Sequence, residues 1–134
     1  MTSKVIYKGD LRTEATHLKS GSIIVTDAPT DNHGKGESFS PTDMVATALG
    51  SCILTIMGIK AKASGIDMEG AQVSITKIMA SDPRRIAKII AEITMPDNEY
   101  SSKEKKVLEA AARHCPVANS LSADLEEEIT IIWP

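Results

Sequence analysis

A single apolar segment between Ser40 and Gly65 constrains the fold of this chain more than any other part of the sequence. Ser40 can accept a backbone N–H group as a helix N-cap, and Pro41 suits the first helical position. Asp43 places negative charge in the first turn, and Gly65 is typical of the residue just past a helix end. Apolar side chains occupy nearly every face of the predicted helix, so the helix must be enclosed. In a chain of 134 residues, full enclosure predicts that a partner subunit supplies one wall.

The rest of the sequence predicts strands before and after this helix, and two further helices towards the C-terminus. Alternating and β-branched runs indicate strands over residues 4–7, 11–18, 23–25, 71–78, 86–95 and 128–133. Helices are predicted from residue 100 to about 114 and, as a short piece, over 116–121. Residues 27–38 are rich in Pro, Gly, Asn and Asp, which indicates a surface loop of a length that is often functional. This order of elements predicts one α+β domain over residues 1–134.

The overall composition excludes some classes of binding partner and indicates the cellular compartment. The formal net charge is −3, which argues against a nucleic-acid-binding protein because such proteins need a basic face. The N-terminus runs directly into a strand-like segment and shows no signal peptide. No uncharged apolar run reaches the ~18 residues that cross a bilayer, so we expect no membrane partner. We therefore expect a cytoplasmic protein, in which a disulfide would be transient or catalytic rather than structural.

The chain contains two cysteines, and each lies in a context that core packing alone does not require. Cys52 falls in the middle of the long apolar helix, and Cys115 directly precedes Pro116 at a predicted helix start. Unpaired N–H groups at that helix start and the neighbouring His114 would lower the pKa of the Cys115 thiol. Cys52 would need a cation brought by a tertiary or subunit contact. The candidate cations are Arg12, Arg84, Arg85 and Arg113.

If the two sulfurs meet in the fold, the natural chemistry is thiol redox. A thiolate attacks the O–O bond of a peroxide and becomes a sulfenic acid, which a second thiol condenses to a disulfide. If the sulfurs do not meet, each cysteine is a small buried apolar residue, which is the commoner role of a free cysteine on a helix face. A metal site built from the cysteines and the three histidines has no support in ligand spacing, because CxxC, HxxxH and HExxH patterns are absent.

Three motifs can be matched together with a known family. They are Ser-Pro-Thr-Asp at residues 40–43, Ala-Thr-Ala-Leu-Gly-Ser-Cys at 46–52 and His-Cys-Pro-Val-Ala-Asn-Ser-Leu at 114–121. In this order, and in a chain of this length, they resemble the OsmC/Ohr family of small hydroperoxide-reducing proteins. The resemblance implies an intertwined homodimer with long buried central helices enclosed by antiparallel sheets and active sites at the subunit interface. It also implies that Cys52 is the peroxidatic cysteine and Cys115 the resolving one.

The resemblance further implies partners that hold the thiolate. Peroxidase members use an arginine from the N-terminal β region, where Arg12 is the only arginine of this chain. They also use a glutamate directly after the motif proline, where this chain has Thr42. The nearest carboxylate is Asp43, one residue later, so Arg12 and Asp43 are the catalytic partners that the resemblance offers. His17 is an alternative polar neighbour.

The leading hypothesis is therefore thiol-dependent reduction of organic hydroperoxides through Cys52 and Cys115, in protection against oxidative or osmotic stress. Such a peroxidase would need an external dithiol reductant and no metal or organic cofactor. The main alternative is a non-catalytic dimeric binding or stress-associated protein that keeps the fold and its pocket, which the replacement of the family glutamate by Thr42 favours. An enzyme of different chemistry in the same pocket is a third possibility.

Overall fold

The chain combines two three-stranded sheets with one long helix. The computed structural model describes residues 1–134 and divides into two compact units, Met1–Val45 and Ala46–Pro134. Each unit holds one of the sheets. The long helix, α1, spans Pro41–Ser64 and begins at the end of the first unit. The two sheets and the central helix confirm the predicted α+β class.

The N-terminal unit is an antiparallel sheet without a hydrophobic core of its own. Its strands are β1 (Ser3–Gly9), β2 (Arg12–His17) and β3 (Ile23–Asp27), with β2 in the middle. The only fully buried residues of this unit are polar, Asp27 and Ser40. Its large apolar side chains are exposed to solvent in the single chain: Val5, Ile6, Tyr7, Leu11, Leu18, Ile23, Ile24, Phe39 and Val45.

Helix α1 begins and ends where the local sequence predicts. The Ser40 hydroxyl accepts the Asp43 N–H at 3.1 Å, and the Asp43 carboxylate accepts the Ser40 N–H at 2.9 Å. This reciprocal pair is a capping box that satisfies two N–H groups of the helix start. Gly65 has φ of +68°, a left-handed conformation that glycine adopts without strain and that ends the helix after Ser64.

Only one face of α1 is enclosed in the single chain. The buried residues recur every three or four positions and are Ala46, Leu49, Gly50, Ile53, Met57 and Ala61. At Gly50 an added Cβ would lie only 2.8 Å from Ile75 Cδ1, so the glycine lets the helix approach the second sheet closely. Ile59, on another face, is 62% exposed. The predicted full enclosure of this helix is therefore absent from the single chain.

By length and composition alone, α1 is also apolar enough to span a membrane, and 33% of its candidate window is buried inside the protein. The sequence predicts no membrane-spanning segment because it contains no uninterrupted apolar run of the required length. The mean hydropathy of the whole helix is high enough despite its few polar residues. Core helices of soluble proteins pass the same length and composition test. The buried face of α1 packs within the C-terminal core.

The C-terminal unit contains a mixed sheet, with β4 (Gln72–Ala80), β5 (Arg85–Thr94) and β6 (Glu126–Ile132) in that order. Strands β4 and β5 are antiparallel, but β5 and β6 are parallel. The expectation of antiparallel sheets is wrong at this pair. Two helices separate β5 from β6 in the chain, and a crossover of that kind is what a parallel pair requires.

Two helices connect those strands, α2 (Ser102–Ala112) and α3 (Pro116–Ser120). Helix α2 begins with a second capping box, between Ser101 and Glu104. The buried core of the protein lies in this unit and comprises Ala46, Leu49, Ile53, Met57, Ala61, Ile66, Ile89, Ala91, Ile93, Met95, Leu108, Ala111, Ala112 and Cys115.

The single tryptophan, Trp133, closes one end of the C-terminal unit. Its indole N–H donates to Glu109 at 3.2 Å, and its ring meets Tyr100 edge-on at a centroid distance of 5.2 Å. The Lys105 ammonium lies 5.5 Å from the indole ring, within the range of a cation–π contact. Trp133 is therefore a fluorescent reporter of folding for the unit that holds both cysteines.

Candidate active site

The structure brings the two cysteines together. Cys52 comes from the middle of α1, and Cys115 is the N-cap residue of α3 with Pro116 in its first turn. The Cys52 side chain lies close enough to Cys115 to raise the pKa of the Cys115 thiol, and both cysteines are free thiols. The two sulfurs are thus placed for chemistry that uses both of them.

The two thiols have different exposure. Cys52 is half-buried, whereas Cys115 is only 1% exposed and belongs to the hydrophobic core. A substrate from solvent therefore has easier access to the Cys52 sulfur. Cys115 is placed to react with Cys52 rather than with a large molecule from outside.

Burial raises the pKa of the Cys115 thiol above its ordinary value, and the interaction with the neighbouring Cys52 side chain raises it further. The backbone N–H groups of Val117 and Ala118 at the start of α3 act in the opposite direction and lower it. The predicted helix-start contribution exists, but the predicted net direction is wrong. Desolvation of the thiolate outweighs two backbone donors because the sulfur lies inside an apolar core.

Arg12, at the start of β2, is bound by two carboxylates of the N-terminal unit. Its Nε donates to Asp27 Oδ1 at 2.7 Å, and its Nη2 donates to Asp27 Oδ2 at 2.9 Å and to Glu37 Oε2 at 3.1 Å. The hydrogen bond from Arg12 holds the pKa of the Asp27 carboxyl below its usual range, although burial alone would raise it. The same bond raises the pKa of the Arg12 guanidinium.

Asp27 and Glu37 did not emerge from the sequence as candidates. The signal for Asp27 is strand pairing, because the β2–β3 register places Arg12 directly opposite Asp27. No comparable signal marks Glu37, which lies in the loop between β3 and α1 and meets Arg12 only through the fold of that loop. Arg12 therefore carries two anionic partners from its own unit.

The remaining polar candidates have local structural partners. Asp43 is part of the α1 capping box, and the Thr42 hydroxyl lies 3.2 Å from the Ser40 hydroxyl. The Nδ1 atom of His17 lies 2.6 Å from Ser20 Oγ in the exposed turn after β2. In the C-terminal unit, Arg85 donates to two carbonyl oxygens of the β4–β5 turn.

A groove of about 840 Å³ runs along α1 and α2 within the C-terminal unit. Its first α1 residue, Ile56, lies one helical turn after Cys52. The groove combines an apolar floor with a basic rim, and its lining residues are Ile56, Ile59, Lys60, Ala63, Ser102, Lys103, Lys106, Val107, Ala110, Ala111 and His114. No group of three or more His, Cys, Asp or Glu side chains in the chain is arranged to hold a metal ion.

The sequence model of the OsmC family, described as OsmC-like protein, matches residues 34–129. The chain belongs to the OsmC-like protein family. The match includes both cysteines and leaves the N-terminal strands, with Arg12 and Asp27, outside it. Membership confirms the resemblance that the three sequence motifs indicate.

Solved structures agree with this assignment of an OsmC-like fold. A protein from Psychrobacter arcticus 273-4, named for osmotic stress induction and a detoxification response, is 50% identical, with a TM-score of 0.94 over 98% of this chain and 96% of that one. An OsmC-like protein from Mycoplasma pneumoniae is 16% identical, with a TM-score of 0.80 over 98% and 94% of the two chains.

A third structure is an organic hydroperoxide resistance protein OsmC from Legionella pneumophila, which is 14% identical with a TM-score of 0.75 over 98% and 96% of the two chains. At such low identity these last two likenesses concern the OsmC-like fold alone. A comparison with curated proteins gives no match.

Proposed function

We propose that this OsmC-like protein reduces organic hydroperoxides with Cys52 and Cys115. The observation that carries the proposal is that Cys52 lies close enough to Cys115 to raise the pKa of its thiol, with Cys52 half-buried and Cys115 enclosed in the core. Family membership and the hydroperoxide resistance named for the Legionella pneumophila protein support it.

In the proposed reaction the Cys52 thiolate attacks the terminal peroxide oxygen, and the O–O bond breaks. The substrate leaves as an alcohol after taking up a proton, and Cys52 becomes a sulfenic acid. Cys115 then attacks the Cys52 sulfur, the hydroxyl group leaves as water with the Cys115 proton, and a disulfide forms. An external dithiol reduces this disulfide by thiol–disulfide exchange and restores both thiols.

The unlike environments of the thiols suit these two roles. Cys52 is accessible enough to meet a peroxide. The raised pKa keeps Cys115 protonated at neutral pH, so that it can donate a hydrogen bond to a Cys52 thiolate rather than repel it. We assign Arg12 as the cation that favours the Cys52 thiolate. Asp43, by its capping hydrogen bonds, supports the start of the helix that carries Cys52.

We further propose that the working form is a homodimer in the cytoplasm. Two observations support a second copy of the chain as the partner: the uncovered apolar side chains of the N-terminal sheet, and the exposed side of α1 around Ile59. Covering such surfaces is the usual driving force of association. The apolar floor of the groove beyond Cys52 favours apolar hydroperoxides as substrates.

The test compares reduced wild-type protein with Cys52→Ser and Cys115→Ser after addition of cumene hydroperoxide. Wild-type protein should lose both free thiols and consume one equivalent of peroxide. Cys115→Ser should stop at a sulfenic acid on Cys52 that dimedone labels, and Cys52→Ser should react at the background rate of a buried thiol. The proposal fails if wild-type protein keeps both thiols, or if Cys52→Ser reacts as fast as wild type.

Two observations favour a non-catalytic binding or stress-associated protein as a second candidate. Asp27 and Glu37 together outweigh the single positive charge of Arg12, and Thr42 stands where the family peroxidases carry glutamate. Under this reading Cys52 would react with cumene hydroperoxide no faster than an ordinary free thiol. A rate for wild-type protein far above that of glutathione under the same conditions would exclude it.

A further inference from the structure

The groove between α1 and α2, inside the C-terminal unit, carries positive charge that no acidic side chain neutralises. Three lysines line it: Lys60 from α1, and Lys103 and Lys106 from α2. None of the three makes an ion pair or a side-chain hydrogen bond, and no aspartate or glutamate lines the groove. In a protein with a formal net charge of −3, a groove with only positive charges indicates an anionic ligand.

The neighbouring charged side chains of α2 are already engaged elsewhere. Lys105 lies over the indole ring of Trp133, and Glu109 accepts the indole N–H at 3.2 Å. Glu104 accepts the Ser101 N–H at 2.8 Å as part of the α2 capping box. Lys103 and Lys106 are three residues apart and share one face of the helix, which is the face that lines the groove. The unpartnered charge of α2 is therefore concentrated at the groove.

The floor of the groove is apolar and elongated. Ile56, Ile59 and Val107 supply large side chains, and Ile59 is 62% exposed. Ala63 and Ala110 leave space between the two helices because their side chains are short. The floor extends about 10 Å along α1 from Ile56 to Ala63, and the volume of about 840 Å³ is in the range of small-molecule sites. Such a floor fits an alkyl chain.

We propose that this groove binds a long-chain carboxylate, the anion of a free fatty acid. Its alkyl chain lies on the apolar floor, and its carboxylate meets the ammonium groups of Lys103 and Lys106, with Lys60 on the opposite helix. Lys103 also lines a smaller cavity beside Ser64, at the end of α1 remote from Cys52. The charged end of the ligand is thus directed away from the thiols. The site takes the acid itself, needs no peroxide group and does not depend on the chemistry of the cysteines.

The charge and the chain of such a ligand contribute separately to its affinity. Ammonium–carboxylate hydrogen bonds are among the stronger ones that a protein makes, and a neutral head group forgoes them. Each methylene that leaves water contributes up to about fourfold to the binding constant. A ligand with the charge but a short chain, and a ligand with the chain but no charge, should therefore both bind more weakly.

The experiment titrates wild-type protein with decanoate, hexanoate and 1-decanol in an isothermal calorimeter. Decanoate should bind about tenfold more tightly than either of the others. Replacing both α2 lysines, in Lys103→Gln/Lys106→Gln, should weaken decanoate binding about tenfold and leave 1-decanol binding unchanged. Wild-type protein that fails to bind decanoate, or that binds all three ligands equally, would overturn the inference.

Two further variants locate the site. The matched control is Lys19→Gln/Lys62→Gln, which removes two positive charges from exposed positions outside the groove and should change decanoate binding less than about twofold. Ala110→Phe places a large ring in the groove at an exposed helix position, so it should abolish binding of decanoate and 1-decanol alike. Equal losses in the two lysine pairs, or unchanged binding in Ala110→Phe, would place the ligand elsewhere and contradict the proposal.

The proposed homodimer makes this test stricter, because Ile59 lies on the side of α1 that a second copy would cover. The titrations therefore use the protein in its own solution assembly, with sedimentation equilibrium before and after addition of decanoate. The ligand should bind without a change of assembly. A second copy that fills the groove would prevent decanoate binding by wild-type protein or would be displaced by it, and either result contradicts a ligand site.

Discussion

The two sheets of this protein have the same number of strands but opposite relations to solvent. The C-terminal sheet buries Ile89 and Ile93 completely and contributes to one hydrophobic core. The N-terminal sheet buries only Asp27 within its strands and leaves Val5, Tyr7 and other large apolar side chains exposed. The comparison shows that the C-terminal unit carries its own hydrophobic core and both thiols, whereas the N-terminal unit carries the buried Asp27 carboxylate and an uncovered apolar surface.

The largest expected effect is the loss of dimer formation when a charge is placed on the apolar surface of the N-terminal sheet. Ile24→Asp places a charge on the apolar surface of β3 and should abolish dimer formation, because a charge buried without a partner is very costly. Sedimentation equilibrium over a range of protein concentrations measures the change. Lys19→Asp, in the exposed turn before β3, is the control and should stay dimeric. A monomeric wild-type protein, or a dimeric Ile24→Asp variant, would show that this surface is not an interface.

A second test compares truncations in the two units. Ile53→Ala removes a fully buried side chain of the C-terminal core and should lower the free energy of unfolding by about 2–5 kcal/mol. Ile6→Ala, on the exposed N-terminal sheet, should change it by less than about 0.5 kcal/mol in dilute protein. Urea unfolding followed by Trp133 fluorescence gives both values. Equal losses at low concentration would contradict the contrast between the units.

A further difference between the two units is expected in how the loss of unfolding free energy in Ile6→Ala depends on protein concentration. Association stabilises the folded state by mass action, so a surface covered by a partner gains importance as the concentration rises. The cost of Ile53→Ala includes a concentration-independent part, since its side chain is already buried in the single chain. A cost for Ile6→Ala that stays near zero at every concentration would mean that this side chain remains exposed.

The raised pKa of Cys115 predicts how the stability of the C-terminal unit depends on pH. Because the folded-state pKa lies above the unfolded value, the stabilisation is complete below the unfolded value, near ~8.5, and is lost as the pH rises through the folded value. Unfolding free energies measured by urea titration at alkaline pH should therefore fall more steeply in wild type than in Cys115→Ala. Identical slopes would show that burial does not raise the Cys115 pKa.

The smallest expected change in stability comes from the two capping boxes, and it tests whether Asp43 only caps its helix or also takes part in catalysis. Asp43→Ala and Glu104→Ala should each lower the free energy of unfolding by about 1 kcal/mol, since each removes one cap hydrogen bond. Peroxide reduction should change little in either variant once the folded fraction is matched. A large loss of activity in Asp43→Ala alone would give Asp43 a direct part in the reaction.

Local signals made much of this fold predictable from sequence. The bounds of α1 follow from Ser40, Pro41 and Gly65, because caps and turn conformations depend on a few neighbouring residues. The parallel pairing of β6 with β5 was not predictable in this way, since strand direction depends on a connection of many residues. The fold therefore follows from short-range chemistry except where the chain crosses over.

Of the candidate site, only the residues within sequence motifs were predictable. Both cysteines stand out in sequence and lie together in the structure, but the raised Cys115 pKa depends on burial that no local pattern reveals. Asp27 and Glu37 escaped notice because they meet Arg12 through strand register and loop geometry. Which charged side chains contact one another depends on tertiary structure. The sequence alone shows which charged residues are present but not which of them meet.

The central claim is that Cys52 and Cys115 act as one redox pair. The most direct test adds one equivalent of cumene hydroperoxide to reduced protein and identifies the products by peptide mass spectrometry. We predict a Cys52–Cys115 disulfide within one chain, the loss of two hydrogens from the intact mass, and one equivalent of alcohol. Peroxide consumed with oxygen retained on Cys52 and a free Cys115 thiol, or a disulfide between chains, would contradict the pair.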